Sequence, residues 1–218
     1  MHIVVAGATG ATGSLVVRQA AAAGHRVTAL VRDPRTYAAP PGAEVRPAQV
    51  VEDEDLELPA DVDVVISAIG GRSLRSTEPV CSTGTRHLVE ALARRGGRGR
   101  LVVVSATPVL TTGIGEPFWH RRVVRPLVRR IGRALYDDIA AMEALLRASG
   151  PDCAWTIVRP GYLVDAGPTD YRLVPEANAP TSASRTDLAD ALLALATDES
   201  AIGRSYGLRR GRPVPSAA

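Results

Sequence analysis

Short apolar runs alternate along this chain with longer segments in which apolar residues recur at helical spacing. Residues 2–6 and 101–105 are almost continuously apolar, which is typical of strands buried on both faces of a parallel sheet. The same reasoning predicts strands at residues 2–6, 26–31, 43–48, 62–69, 101–105, 155–158 and 171–174.

Helices are predicted between these strands, at residues 14–23, 85–95, 121–130, 133–149 and 185–196, with the start of a short one in the acidic stretch 52–57. In the helix at 121–130, the arginines are expected to form a solvated face while Val123, Val124, Leu127 and Val128 pack. A mobile polar tail is expected after Ala196.

This alternation of strands and helices predicts an α/β fold, specifically a single-domain, Rossmann-like, doubly wound parallel sheet. No linker or internal repeat divides the 218 residues. In such sheets the ligand lies at the carboxyl ends of the strands.

Three glycines follow the first strand at the spacing G-x-x-G-x-x-G, in residues 7–13. In a dinucleotide site, one such glycine makes the turn, one admits a pyrophosphate to the backbone, and one allows the helix to pack on the strand. The phosphate then lies at the helix N-terminus. The alternative is a glycine-rich turn that binds nothing.

Arg32 follows the second strand, at the place where an acidic residue would bind the ribose of NAD. An arginine there matches the 2′-phosphate of NADP, so the sequence predicts NADP(H) as the cofactor. Asp33 is the feature that favours NAD, and a solvated arginine is the alternative interpretation. Arg72, after the fourth strand, is expected to meet either a ligand anion or water.

The composition excludes several other classes of protein. All 26 basic residues are arginines, so no lysine can act as a base, and the formal net charge of +3 with few aromatic residues disfavours nucleic-acid binding. Cys81 and Cys153 lack metal-ligand spacing and are expected to be reduced core thiols of a cytoplasmic protein. We expect no secretory leader, no membrane partner and no metal, because no charged leader or membrane-spanning apolar run is present.

Five motifs carry a family resemblance: GATGATG at 7–13, LVRD at 30–33, ISAIGG at 66–71, VVSA at 103–106 and VRPGY at 158–162. Together they resemble the atypical, NmrA-like branch of the short-chain dehydrogenase/reductase superfamily. Within it, the chain is most similar to the small NADPH-dependent biliverdin-IXβ/flavin reductases. The resemblance runs through nearly the whole chain and implies one NAD(P)-binding domain, with a nucleotide-binding half at 1–110 and a substrate-pocket half at 111–218.

The resemblance also implies roles for individual residues. It places the pyrophosphate on the glycine turn, the 2′-phosphate on Arg32, and the nicotinamide near Ser105 and Tyr162, which are the catalytic candidates. The implied cofactor-binding residues are Gly7, Thr9, Gly10, Ala11, Thr12, Gly13, Arg32, Gln49, Ile69, Gly70, Arg72, Ser105, Pro160 and Gly161. Candidate residues of the substrate pocket are Phe118, Trp119, Tyr136 and Tyr162.

Three positions depart from the family pattern. Ala48-Gln49 replaces a Gly-Asp pair, so an amide would stand in for the carboxylate that binds the adenine amino group. Ala106 replaces a second hydroxyl residue after Ser105. Tyr136 is followed four residues later by Ala140 and not by lysine, so its phenol is expected to be a poor base and to serve as core or pocket wall.

These departures disfavour an ordinary alcohol dehydrogenase. The leading hypothesis is an NADPH-dependent reductase that transfers hydride to a planar conjugated acceptor, such as a flavin, tetrapyrrole or quinone, and that is a monomer or homodimer. One alternative is a non-catalytic dinucleotide sensor acting on a protein partner, which would expose an apolar face near residues 108–131. Another is an isomerase or cyclase that keeps the nucleotide.

Overall fold

The computed structural model describes residues 1–71, 73–74, 76–96, 99–109, 114–150 and 153–212. Its strands are β1 His2–Ala6, β2 Arg26–Val31, β3 Ala43–Pro47, β4 Val64–Ser67, β5 Arg100–Val104, β6 Ala154–Pro160, β7 Leu163–Val164, β8 Arg172–Pro175, β9 Ala183–Ser184 and β10 Arg204–Arg209. Its α-helices are α1 Ala11–Ala22, α2 Val80–Ala93, α3 Arg125–Ile131, α4 Arg133–Ala148 and α5 Arg185–Thr197.

Eight of the strands form one sheet in the order β3-β2-β1-β4-β5-β6-β10-β8, and β7 pairs with β9 separately. All neighbours in the large sheet are parallel except β10 and β8 at its edge. The chain moves outward from β1 to β3 and then returns to β4 on the other side of β1. This reversal opens a crevice at the carboxyl ends of β1 and β4, where sheets of this kind bind ligands.

Helices cover both faces of the sheet, which explains the absence of alternation in the central strands. Helices α1 and α5 pack together on one face, and α2 and α4 on the other. In β1, Ile3 and Val5 belong to the buried cluster on the α1 side, while Val4 and Ala6 belong to the second cluster. The predicted doubly wound α/β fold is confirmed.

The predicted mobile tail after Ala196 is wrong for the segment that forms β10. This strand pairs with β6 and β8, and its residues 205–208 are buried. Gly207 and the arginines at both ends of the strand give its sequence a low strand propensity and mask the apolar pattern. Pairing with a strand on either side compensates for this low propensity. Residues 213–218 lie outside the described part of the chain.

Two predicted helices also differ from the structure. Residues 52–57 form turns, with Leu56 buried, and do not begin a helix. The arginine-rich segment starts as a π-helical turn, His120–Val124, and continues as α3. Val123 and Leu127, which were expected to pack, are 62% and 57% exposed.

Both cysteines are buried free thiols, and the structure leads to a chemical prediction for them. Burial raises the pKa of Cys81 to about 12 and that of Cys153 to about 11, so both remain protonated at pH values well above neutrality. Only the thiolate reacts readily with alkylating agents. We therefore expect iodoacetamide at pH 8 to leave the native protein unmodified under conditions that alkylate the urea-unfolded chain fully, as measured by intact-protein mass. Rapid alkylation of the native protein would contradict this assignment.

Candidate dinucleotide site

The glycine turn connects β1 directly to α1. Gly7 has φ +79°, a conformation that favours glycine, and its carbonyl oxygen accepts a hydrogen bond from the Gly10 amide at 3.0 Å. Gly10 is the N-cap of α1, and none of the side chains that the structure describes caps this helix end. The first-turn amides therefore point outward without helical partners, and no acidic residue opposes an anion there.

Two of the glycines allow close approach between backbone segments. A Cβ atom on Gly7 would lie 2.7 Å from the Ala68 carbonyl oxygen, at the end of β4. A Cβ atom on Gly13 would collide with the Gly7 carbonyl group and press on Ala8. Gly7 thus makes the turn and Gly13 permits the packing of helix on strand, which leaves Gly10, exposed at the helix end, as the candidate glycine for the approach of a ligand.

A cleft of about 840 Å³ lies across the carboxyl ends of β1, β2 and β4, and this volume is ample for a dinucleotide. Its lining residues come from the glycine turn, from both neighbouring strand ends and from the segment leading into α2. They are Gly7, Thr9, Gly10, Leu30, Val31, Arg32, Ala48, Val50, Val51, Glu52, Ala68, Ile69, Gly70, Gly71, Ser73, Ser76, Thr77, Glu78 and Val80.

Six of the residues predicted to bind cofactor line this cleft: Gly7, Thr9, Gly10, Arg32, Ile69 and Gly70. Ala11, Thr12 and Gly13 form the first turn of α1 directly beside it. Arg72 lies outside the described residues. Ser105, Pro160 and Gly161 are at or beyond the ends of β5 and β6, and they do not line the cleft.

Gln49 is placed differently from its predicted position against the adenine ring. Its side chain is exposed and outside the cleft lining, and its backbone N–H donates to Asp53 Oδ2 at 2.9 Å. Its neighbours Ala48 and Val50 line the cleft instead, with Glu52 at the rim. The amide contact with the adenine ring stays a prediction.

Arg32 occupies the end of β2 at the rim of the cleft. Its side chain is exposed and forms no hydrogen bond or ion pair with any described residue. Asp33, by contrast, accepts from Arg35 Nε at 2.9 Å, from Nη2 at 3.0 Å and from the Arg35 backbone at 3.1 Å. These bonds lower the pKa of the Asp33 carboxyl, so the carboxylate is already engaged by its neighbour.

The opposite wall of the cleft is hydroxyl-rich and was not anticipated from the sequence. Ser73, Ser76 and Thr77 line it just before α2 begins. The start of α2 is fixed by the buried carboxylate of Asp138 on α4, which accepts from the backbone amides of Cys81 at 2.8 Å and Ser82 at 2.9 Å. The signal in the sequence was the run of small polar residues after the β4 glycines.

Ser105 belongs to a buried polar network between the sheet and α4. Its hydroxyl donates to Glu143 Oε1 at 2.5 Å, and Arg159 donates to both Glu143 oxygens at 2.8 and 2.6 Å. Arg159 is fully buried and also donates to Ser205 Oγ at 2.8 Å. Sequence reasoning missed the roles of Glu143 and Arg159, although an arginine ending an apolar strand and a glutamate on the apolar side of α4 were the available signals.

The aromatic candidates for the substrate pocket do not line the described cleft. Tyr162, Phe118 and Trp119 are 78%, 67% and 61% exposed. Tyr136 is 7% exposed and packs in the core, where burial raises the pKa of its phenol. The structure therefore places Tyr136 in a buried cluster, and its role in the substrate pocket stays a prediction.

Comparison with known proteins agrees with this geometry. A family model described as NAD(P)H-binding matches residues 7–199. An uncharacterized chloroplastic protein of Arabidopsis thaliana is 31% identical over 180 residues, which are 77% of this chain, and the match spans 61% of that relative's length.

Solved structures share the fold over nearly the full chain. An oxidoreductase of Lactococcus lactis has a TM-score of 0.78 at 18% identity, covering 98% of this chain and 93% of that one. A proposed NADH-flavin reductase from Streptococcus pneumoniae scores 0.72 at 23% identity, covering 96% and 99%. An anaerobilin reductase from Escherichia coli O157:H7 scores 0.73 at 19% identity, covering 99% and 100%. The glycine turn, the cleft above it and the family match over residues 7–199 together show that this chain belongs to the NAD(P)H-binding family and has its Rossmann-like fold.

Proposed function

We propose that this chain is an NADPH-dependent reductase that transfers hydride to a planar conjugated acceptor, such as a flavin, tetrapyrrole or quinone. The observation that carries the proposal is the exposed Arg32 at the rim of a cleft built on the glycine turn. When bound, the cofactor supplies the hydride. The chain holds the pyrophosphate on the first-turn amides of α1 and the backbone of Gly10.

The preference for NADPH rests on how the charges at the end of β2 are distributed. Arg35 already donates to both oxygens of Asp33, so this carboxylate is less available to accept from a free ribose 2′-hydroxyl. Arg32 retains its full hydrogen-bonding capacity toward a 2′-phosphate. The NADPH preference therefore comes from this chain's own residues, although one structural neighbour is described as an NADH-flavin reductase.

The acceptor class follows from the proton donors that the chain offers. The sequence contains no lysine, and Tyr136 is buried with a phenol pKa raised by desolvation, so it is a poor acid–base group for an alcohol substrate. A conjugated ring system delocalises the charge of an arriving hydride and takes its proton from solvent. The chain's task is then orientation and exclusion of water. The flavin and bilin named for two structural neighbours are acceptors of this kind.

Ser105 and Tyr162 remain our catalytic candidates, and Phe118 and Trp119 our candidate pocket walls. We propose that the Glu143–Arg159 pair positions Ser105 at the end of β5, because the Ser105 hydroxyl donates to Glu143 at 2.5 Å. We also propose that Gln49, Pro160 and Gly161 contact the cofactor.

Turnover with a substrate panel tests this function. The purified chain is mixed with NADPH and, in turn, FMN, a soluble quinone or biliverdin, and loss of the reduced-nicotinamide absorbance is followed. We expect catalysed oxidation with at least one acceptor and slower turnover with NADH. Product formation without net oxidation of cofactor would identify an isomerase or cyclase and contradict the proposal.

A non-catalytic dinucleotide sensor is the second candidate, and two observations favour it. The Ser105 hydroxyl is engaged by Glu143, and Phe118, Trp119, Val123 and Leu127 expose an apolar face within residues 108–131. A sensor would bind oxidised and reduced cofactor with similar affinity and show no turnover across the panel. The same experiment therefore separates the two functions.

A further inference from the structure

The helical segment at residues 118–131 exposes an apolar stripe along its length. Trp119, Val123, Leu127 and Ile131 follow one another at four-residue intervals and are 61%, 62%, 57% and 56% exposed. Residues at this spacing lie on one side of a helix. Phe118, at the N-terminal end of this exposed stripe, is 67% exposed. Large apolar residues contiguous in this way mark an interaction surface, whereas single exposed ones do not.

The side chains around the exposed stripe are almost all arginines. Arg121, Arg122 and Arg130 are exposed, and residues 117–132 contain no acidic residue. Apart from Pro126, every exposed residue from 118 to 131 is either a large apolar residue or an arginine. Arg129 contacts Asp137 and Arg125 contacts Glu116, so positive charge in excess remains on the three exposed arginines.

This distribution of charge disfavours a second copy of the chain as the occupant. In a two-fold interface the same patch faces itself, so the two rows of arginines would be brought together without counter-charges. The complementary surface must be both apolar and anionic. A lipid surface offers both without a fixed hydrogen-bonding register, and the exposed stripe, all of whose residues are described, consists of large apolar side chains bordered by arginines.

We propose that the exposed stripe binds the surface of an anionic lipid bilayer, with the helix lying in the interface. Interfacial helices typically combine Trp, Phe and aliphatic residues on one face with arginines along its borders. None of the described helices has both the length and the apolar character needed to cross a membrane. The expectation of no membrane partner was based only on the absence of a membrane-spanning segment. An interfacial helix does not require such a segment. The proposal does not depend on the reductase function, because Val123, Leu127 and Ile131 form the exposed stripe without Phe118 and Trp119, which are also the candidate pocket walls.

The charge contribution has an expected size. Each arginine near an anionic bilayer surface strengthens binding about five-fold, so the three exposed arginines together should favour anionic over neutral vesicles by about one hundred-fold at low salt. Physiological salt should reduce this preference, because charges beyond a Debye length are screened.

Vesicle flotation with the full chain tests the proposal, using phosphatidylcholine vesicles with and without phosphatidylglycerol. We expect the wild-type protein to float only with the anionic vesicles. Leu127→Glu, at a position that is exposed and outside the cleft, should weaken this binding at least ten-fold. NADPH affinity, measured in parallel, should not change, which separates this result from a failure of the dinucleotide site.

The matched control is Ile202→Glu, which changes an apolar residue that is 44% exposed on a different part of the chain. This variant should float like the wild type. Absence of wild-type binding to anionic vesicles, or equal binding by Leu127→Glu, would overturn the proposal. So would a dimer that forms in solution and is dissociated by Val123→Glu without any vesicle binding, or capture of the stripe by an acidic protein alone.

Discussion

Glu143→Gln is expected to destabilise the folded protein by about 3–5 kcal/mol, because it leaves the buried Arg159 guanidinium without its counter-charge. Arg159 is fully buried, and Glu143 is 6% exposed. Both carboxylate oxygens accept hydrogen bonds from this guanidinium, at 2.8 and 2.6 Å. Because both groups are buried, solvent cannot compensate for the lost carboxylate charge. Since a domain of this size is commonly stable by about 5–15 kcal/mol, the loss is a large fraction of the total. Thermal unfolding should show the midpoint falling by about 10 °C.

The control for this prediction is Arg147→Gln, in the same network but at its wet edge. Arg147 is 42% exposed and lies 3.9 Å from Glu143, so its removal should cost about 1 kcal/mol or less. Replacing both members of the buried pair with apolar residues, as Glu143→Leu combined with Arg159→Met, should restore much of the stability, because no unpaired charge is then buried. Equal stability of Glu143→Gln and the wild type would show that water reaches this pair.

Arg32→Ala is expected to weaken NADPH binding about ten- to one hundred-fold, the contribution of a hydrogen bond between charged groups. NADH binding should stay within about two-fold, because NADH has no 2′-phosphate for Arg32 to bind. Titration of both reduced cofactors, followed by nicotinamide fluorescence, measures the two affinities directly.

Arg35→Ala is the matched control, since Arg35 follows the same strand but is paired with Asp33. Its removal should weaken NADPH binding less than removal of Arg32. It should also improve NADH binding, because the freed Asp33 carboxylate can then accept from the ribose. Equal weakening of both cofactors by Arg32→Ala would contradict the assignment of Arg32 to the 2′-phosphate.

The parts of the fold predictable from sequence are those with strong local signals. The strands β1, β5 and β6 are short, apolar and buried on both faces, and G-x-x-G-x-x-G between a strand and a helix admits few other structures. Arg32 and the glycines of the turn were located by this local order. The strand β10 was missed because its stability comes from β6 and β8 and not from its own residues.

The site was less predictable where it depends on distant contacts. The Glu143–Arg159 pair joins residues from α4 and β6, and neither residue has a local pattern that identifies its partner. The exposure of Val123 and Leu127 could not be predicted either. An apolar stripe at helical spacing has the same sequence pattern whether it faces the core or an external surface.

Hydrogen–deuterium exchange of the full chain with and without saturating NADPH tests most directly whether the glycine-turn cleft is the dinucleotide site. We expect slower exchange in residues 7–14, 30–33 and 68–71, whose backbone surrounds the cleft, and no change in the exposed segment 118–131. Unchanged exchange throughout, or protection confined to residues outside the cleft, would contradict the assignment of this cleft as the dinucleotide site.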